Sequence, residues 1–340
     1  MFTFEVDPDI RRAKTLATEF YTDPNWFGSS KEEIFAPSWQ FVGHRSQFRG
    51  LTPISFMPEF LDEPLLISEN AGELKCLSNV CTHRGKVLVE QACEANLIRC
   101  GYHGRRFSLD GKFLSMPEFD GVENFPCDDD NLTELPLHNW KGFLFTSLGP
   151  HIDFHELAND AFARIDASLD ALNFTQSRSF EVNAHWALYC ENYLEGFHIP
   201  FVHQGLNAVV DYGTYTTETF RYSSLQTGYD ANGELAARYL FVFPNLMFNF
   251  YPWGLSVNVV RPISPTKTTV EFLTYVSDET LVEIGAGANL DKVELEDEAV
   301  VESVQRGIRS RFYSHGRYSP TRETGTHHFH RLIAEFMNKP

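Results

Sequence analysis

Cys81-Thr-His83-Arg-Gly85 and, further on, Cys100-Gly-Tyr-His103-Gly104 are the two segments that decide what this chain folds into. Each offers one thiolate and one imidazole. That is the donor set of a [2Fe–2S] cluster of the Rieske type, in which one iron takes two cysteines and the other two histidines. Two Cys and two His also satisfy a tetrahedral zinc ion. Zinc sites usually draw both thiols from one short motif and both imidazoles from another, whereas here each motif mixes the two. Gly85, Gly101 and Gly104 flank the donors, where backbone must bend tightly and approach a sulfur-rich centre. The chain is expected to move electrons.

The 340 residues are enough for two domains with substantial cores, and 43% hydrophobic with 14% aromatic residues is a globular composition. No apolar run approaches the length of a membrane span, and MFTFEVDPDIRRAKTL lacks a basic region followed by an apolar one, so a cytoplasmic protein is expected. The net charge of −18 argues against nucleic acid as a partner, since phosphate contacts need a basic patch. Beyond Cys81 and Cys100, the cysteines 76, 93, 127 and 190 suit small buried hydrophobes in a reducing compartment.

Residues 1–36 read as a polar, helix-prone lead. From 37 to 150, short β-branched and aromatic runs such as WQFVGH, LLISEN and GFLFTSLG alternate with Gly, Pro and Asp turns, which predicts a small all-β domain around the cluster loops. FHELANDAFARIDASLDALNF has apolar residues near helical spacing and predicts a joining helix. Residues 151–340 then form a second domain, with a helical stretch HWALYCENYLEGFHIPFVHQG, long strands including RYLFVFPNLMFNFYPW, and a final helix LEDEAVVESVQRGIRSRF. The fold class is therefore α+β.

A second constellation lies in that helical stretch: Glu195-Gly-Phe-His198-Ile-Pro-Phe-Val-His203. On a helix, Glu195 and His198 at i and i+3 share a face. Pro200 disfavours a continuous helix, which lets His203 turn back toward His198. A mononuclear iron(II) site for oxygen activation takes two His and one carboxylate with open positions. Glu294-Leu-Glu296-Asp297-Glu298 is the best source of the carboxylate, although acidic residues at a helix start also serve as solvated caps. Spacing does not choose among them.

With CTHRG, CGYHG, CENYLEGFHIPFVH, PNLMFNFYP and EDEAVVESVQRG, the chain resembles, over nearly its whole length, the oxygenase α-subunits of Rieske non-haem iron oxygenases, also called aromatic-ring-hydroxylating dioxygenases. The resemblance implies that the larger domain is a helix-grip (START-like) fold and that Asp297 is the third iron ligand, with Glu296 the alternative. It implies that Glu195 bridges His198 to a cluster histidine of a neighbouring subunit, and that three subunits form a ring. Glu rather than Asp at position 195 is similar to the branch containing choline, carnitine and betaine oxygenases.

No Gly-rich dinucleotide turn and no second set of four cysteines is evident, so electrons from NAD(P)H are expected through a separate reductase carrying flavin and an iron–sulfur cluster. The expected activity is that of a terminal oxygenase passing those electrons to O2, hydroxylating or N-demethylating a small organic substrate such as a quaternary ammonium compound. The alternatives are an aromatic-ring dihydroxylase or aromatic-acid demethylase and, remotely, a non-catalytic Rieske carrier. The 241–251 strand alternates large apolar groups at period two, and one of its faces can line a pocket where aromatic rings hold an ammonium. His185, His315, His327, His328 and His330 receive no role.

Overall fold

A computed structural model describes residues 3–165, 169, 172–282, 284–287 and 290–338. The chain divides into two compact units, one of Ala36–His151 and one that joins Met1–Phe35 to Ile152–Pro340. The first 35 residues are thus part of the larger unit. Phe20, Tyr21, Phe27 and Phe35 in that segment are buried, so it contributes core rather than a polar lead.

The smaller unit is all β. Its strands are β1 (Gln40–His44), β2 (Leu51–Phe56), β3 (Glu63–Asn70), β4 (Glu73–Ser78), β5 (Ile98–Arg99), β6 (Arg106–Phe107), β7 (Phe113–Ser115), β8 (Glu134–Leu135), β9 (Leu137–Trp140) and β10 (Phe143–Thr146). They form three antiparallel sheets ordered β1-β10-β9, β2-β3-β4-β8 and β5-β6-β7. One cysteine–histidine loop follows β4 and the other joins β5 to β6.

The larger unit holds a seven-stranded antiparallel sheet in the order β11-β17-β16-β15-β14-β13-β12. The strands are β11 (Asn173–Val182), β12 (Thr216–Thr219), β13 (Ser223–Tyr229), β14 (Leu235–Val242), β15 (Leu246–Tyr251), β16 (Gly254–Ser264) and β17 (Lys267–Val276). Its helices, after the short N-terminal α1 (Glu19–Thr22) and α2 (Pro24–Ser30), are α3 (Phe154–Ala161), α4 (Trp186–Tyr193), α5 (Ile199–Val202), α6 (Gln204–Asn207), α7 (Leu290–Gly307) and α8 (Thr324–Met337). Helix α4 packs on α7 and on β16, and α7 on β11. No helix among the described residues is long and apolar enough to cross a membrane.

Strand register separates two functions. Leu225, Leu240, Phe248, Val257 and Leu273 stand opposite one another across β13 to β17 and are buried, forming one apolar row of the core. The adjacent row, one residue along each strand and so on the other face, reads Gln226, Tyr239, Asn249 and Ser256. Polar groups and a tyrosine hydroxyl occupy it because that face meets α4 and α7 across a cavity.

Several expected elements differ. The joining helix ends at Ala161 with one 3-10 turn to Arg164, and Asn173 and Phe174 belong to β11, paired with Val276 and Tyr275. Residues 166–168 and 170–171 of that prediction lie outside the described residues. The penultimate helix starts at Leu290 and stops at Gly307, and a separate amphipathic α8 follows. Cys93 and Cys127 are exposed, whereas Cys76 and Cys190 are buried as expected.

Candidate functional site

The two cysteine–histidine loops share one backbone wiring. Cys81 N–H donates to the Lys86 carbonyl and Gly85 N–H to the Cys81 carbonyl, both at 2.9 Å. Cys100 N–H likewise donates to Arg105 at 2.8 Å and Gly104 N–H to Cys100 at 3.1 Å. Gly85 and Gly104 take φ of +70° and +76°, a conformation that a side chain opposes. Both thiols are buried in a core cluster with Leu51, Leu66, Leu77, Ile98 and Phe107. His83 is half-buried and His103 exposed, with ring centroids 4.8 Å apart. The donors therefore sort into two inner sulfurs and two outer imidazoles, which fits the unlike irons of a Rieske cluster.

The electrostatics of the two sulfurs differ. Burial opposes the thiolate at both. At Cys81 burial prevails and raises its pKa, while at Cys100 backbone N–H bonds from Tyr102 and His103 help to outweigh it and lower the pKa. Arg105 braces both loops: it is fully buried, pairs with Asp130 at 2.5 Å and lies over the Phe113 ring at 4.8 Å, while the Asp130 carbonyl accepts from Thr82 Oγ1 at 2.9 Å.

The second constellation converges as well. Helix α4 ends at Tyr193, so Glu195 and His198 do not lie on one α-helix as the spacing predicts. They meet in a turn that the Glu195 carboxylate itself caps. One of its oxygens accepts from the backbone N–H of Phe197 and, at 3.1 Å, of His198. The other lies 2.6 Å from His198 Nδ1. Pro200 sits at the start of α5 rather than ending a helix, where its missing N–H costs nothing. Four residues of helix then bring His203 round to face His198.

Helix α7 supplies the carboxylates. His203 Nε2 lies 2.9 Å from Asp297 Oδ1 and His203 Nδ1 lies 2.8 Å from Glu296 Oε2, so neighbouring residues address opposite edges of one ring. His198 Nε2 lies 3.5 Å from the same Asp297 oxygen. Ligand atoms of His198, His203 and Asp297 all lie within 4.8 Å of one another. Their outward nitrogens are occupied by Glu195 and Glu296, leaving two Nε2 atoms and one carboxylate to converge. That donor set fits iron(II) of the two-His, one-carboxylate kind, with the outer carboxylates orienting the rings. Burial opposes a charged His203, but Asp297 and Glu296 outweigh it and raise its pKa.

A cavity of about 110 Å³ opens beside these three residues. Its walls include Tyr193, Tyr215, Tyr239 and Tyr251, with Tyr193 and Tyr239 perpendicular at 6.3 Å and Tyr239 and Tyr251 at 6.0 Å and 80°. Burial pushes all four hydroxyls well above the ordinary phenol range, so the rings are neutral. Gly196 makes room for one of them, since a Cβ there would meet Tyr215 Cε1 at 2.6 Å.

Known proteins resemble the chain across both of its units. Residues 38–126 match the Rieske [2Fe-2S] domain, and residues 211–339 the catalytic domain of the ring hydroxylating alpha subunit. The chloroplastic choline monooxygenase of Arabidopsis thaliana is 30% identical, across 97% of this chain and 85% of its own. The chain belongs to the Rieske non-haem iron oxygenases. The carnitine monooxygenase oxygenase subunit of Escherichia coli (strain K12) is 28% identical, across 96% of this oxygenase and 94% of that chain. The solved structure of the quaternary ammonium Rieske monooxygenase CntA, 26% identical, superposes with a TM-score of 0.81 over 98% of this chain and 97% of its own. The protein is thus a terminal oxygenase with a Rieske cluster and a mononuclear iron as its cofactors.

Of the aromatic strand read as a possible pocket wall, Tyr251 reaches the cavity together with Asn249, whereas Phe241, Phe243, Met247 and Phe248 are core. Sequence reasoning missed Asn192, Tyr193, Tyr215, Gln226 and Tyr239. Gln226 and Tyr239 come to share a face only once the strand register is known, while Asn192 and Tyr193 lie at the end of α4 and Tyr215 just before β12, where no motif marks them.

Proposed function

We propose that this oxygenase hydroxylates a small quaternary ammonium compound at a carbon near or next to nitrogen. The observation that carries the reading is the set of four neutral tyrosines around a cavity that also holds His198, His203 and Asp297. Neutral aromatic faces attract a desolvated alkylammonium through the ring quadrupole. The relatives named for choline, carnitine and quaternary ammonium substrates support the same class.

In this reading Cys81, His83, Cys100 and His103 hold the cluster, and His198, His203 and Asp297 hold the iron. Bound there, the iron supplies redox and Lewis-acid chemistry toward dioxygen. Glu195 and Glu296 fix the two imidazoles by their outer nitrogens, and Asn192 holds Asp297. The tyrosines exclude water and place the ammonium so that one C–H faces the His198, His203 and Asp297 group. A substrate C–H, O2, two electrons and two protons give C–OH and water. Where that carbon bears nitrogen, the O–H releases its proton and the C–N pair leaves with the amine, giving an aldehyde. The electrons come from NAD(P)H through a separate reductase, and the working assembly is a homotrimer in which Glu195 bridges His198 to a neighbouring subunit. No disulfide joins any of the six cysteines, in keeping with a cytoplasmic setting.

A single-turnover assay tests this. Reduced, iron-loaded enzyme is mixed with O2 and a panel of methylammonium compounds and aromatic acids. Formaldehyde or a hydroxylated amine, formed as the cluster oxidises, is the expected product, and a phenol or cis-diol from the aromatic acids would refute the reading.

A further inference from the structure

The cavity walls carry carboxylates but, among the described residues that form them, no lysine or arginine. Glu195 and Asp297 have the partners given above. Glu294 has only half of its own. It is 5% exposed, its Oε2 accepts from the Tyr189 hydroxyl at 2.7 Å, and its Oε1 has no hydrogen-bond partner. Gln226, on the facing strand β13, repeats the pattern: Nε2 donates to the Tyr193 carbonyl at 2.7 Å, and the buried Oε1 is unpartnered. Buried acceptors left without a donor are rare in folded proteins. Here two of them belong to residues of one cavity whose walls also present four neutral tyrosine rings.

Position along α7 adds to this. Glu294 and Asp297 are i and i+3, so they share a helix face, and a substrate lying against the His198, His203 and Asp297 group meets Glu294 one turn earlier. Burial pushes the Glu294 carboxyl up to about 8, and a neighbouring cation favours its ionised form. The same carboxylate repels a second negative charge, and the described walls hold no lysine or arginine to receive one.

We propose that Glu294 is the counter-charge for the ammonium head of the substrate, and that the enzyme selects a monocationic ammonium compound without a carboxylate, of the amino-alcohol kind, over a zwitterionic ammonium carboxylate. The assignment rests on the ammonium reading above and narrows it. Glu294 acts here as a specificity-determining residue. Tyr189 fixes its carboxylate, and the tyrosine faces supply the remaining contact with the methyl groups.

The test is equilibrium binding, measured calorimetrically without O2 on the cluster- and iron-loaded enzyme and on its Glu294→Gln and Glu294→Asp variants. The probes are choline, its neutral carbon isostere 3,3-dimethylbutan-1-ol, and L-carnitine. Wild-type enzyme is expected to bind choline at least tenfold more tightly than either other probe. Glu294→Gln reduces the choline-to-isostere preference to about twofold and changes isostere affinity by less than threefold, with iron content and cluster spectrum unchanged. Glu294→Asp restores most of the preference. A preference that survives Glu294→Gln overturns the Glu294 assignment and leaves the ammonium reading standing. So does carnitine binding as tightly as choline to the wild-type enzyme, an outcome that needs no variant to fold. Failure of choline alone to bind the loaded wild-type enzyme likewise overturns the Glu294 assignment, and failure of both choline and L-carnitine to bind overturns both readings.

Discussion

Asn192 donates to Asp297 Oδ1 at 2.6 Å, the same oxygen that lies 2.9 Å from His203 Nε2. The last turn of α4 thereby sets the direction from which the α7 carboxylate approaches the two histidines. Asn192→Ala is expected to weaken mononuclear iron binding by roughly 10- to 100-fold, as loss of a ligand-orienting partner does. Iron titration followed beside the cluster absorbance checks this, because the cluster spectrum stays at full intensity.

Asp297 and Glu296 are separable by the same assay. Asp297→Ala removes the carboxylate between the two Nε2 atoms and should abolish stoichiometric iron. Glu296→Ala removes only the partner of His203 Nδ1 and should retain a site weakened by roughly 10-fold. Equal losses in the two variants would reverse the ligand assignment.

Glu195→Gln preserves an acceptor for the Phe197 and His198 N–H groups but withdraws the negative charge beside His198 Nδ1. Both metals should stay bound, while the rate of cluster oxidation in a single turnover falls by an order of magnitude or more. Rapid-mixing absorbance at the cluster bands reads that rate directly, and wild-type kinetics would remove Glu195 from the electron path.

In the smaller unit, His83→Ala or Cys100→Ala should bleach the visible cluster spectrum and leave the mononuclear iron in place. Arg105→Met is predicted to destabilise this unit by roughly 3–5 kcal/mol, because it leaves Asp130 without its partner beneath both loops. Thermal unfolding monitored at the cluster absorbance measures that loss.

His185 gives a pH dependence of known sign. Its ring is fully buried, and burial lowers its pKa to about 3, from an unfolded value near 6.5. Between those values the unfolded chain binds a proton that the native state refuses. Stability from this group is complete above about pH 6.5 and falls as pH drops toward 3. Replacing His185 with Asn retains an acceptor for Ala187 N–H and should reduce the stability lost between pH 7 and pH 5 by about 2 kcal/mol, measured by denaturant unfolding at the two pH values.

The cysteines and histidines proposed as metal donors could be picked out in the sequence because each sits in a short motif whose chemistry is local. Cys81 and His83 lie two residues apart, Cys100 and His103 three, and one loop carries each pair. The choice of Asp297 rested on family resemblance alone, since four acidic residues between 294 and 298 look alike until the helix phase is fixed. The helix assumed for Glu195 and His198 failed because the Glu195 side chain competes for backbone N–H groups and stops the helix two residues earlier. Tyr193 on α4, Tyr215 just before β12, Gln226 on β13 and Tyr239 on β14 lie far apart along the chain, and no spacing in a linear chain announces that they share one cavity.

The two register rows of the large sheet separate two kinds of mutational risk. Changes at 226, 239 or 249 alter the wall of the cavity beside His198, His203 and Asp297, while changes at 225, 240, 248 or 257 on the alternate face open holes in the interior. A lineage built on this sheet can therefore explore new substrates at every second position of its strands while the alternate positions keep the protein folded. The architecture makes substrate range the cheaper trait to change.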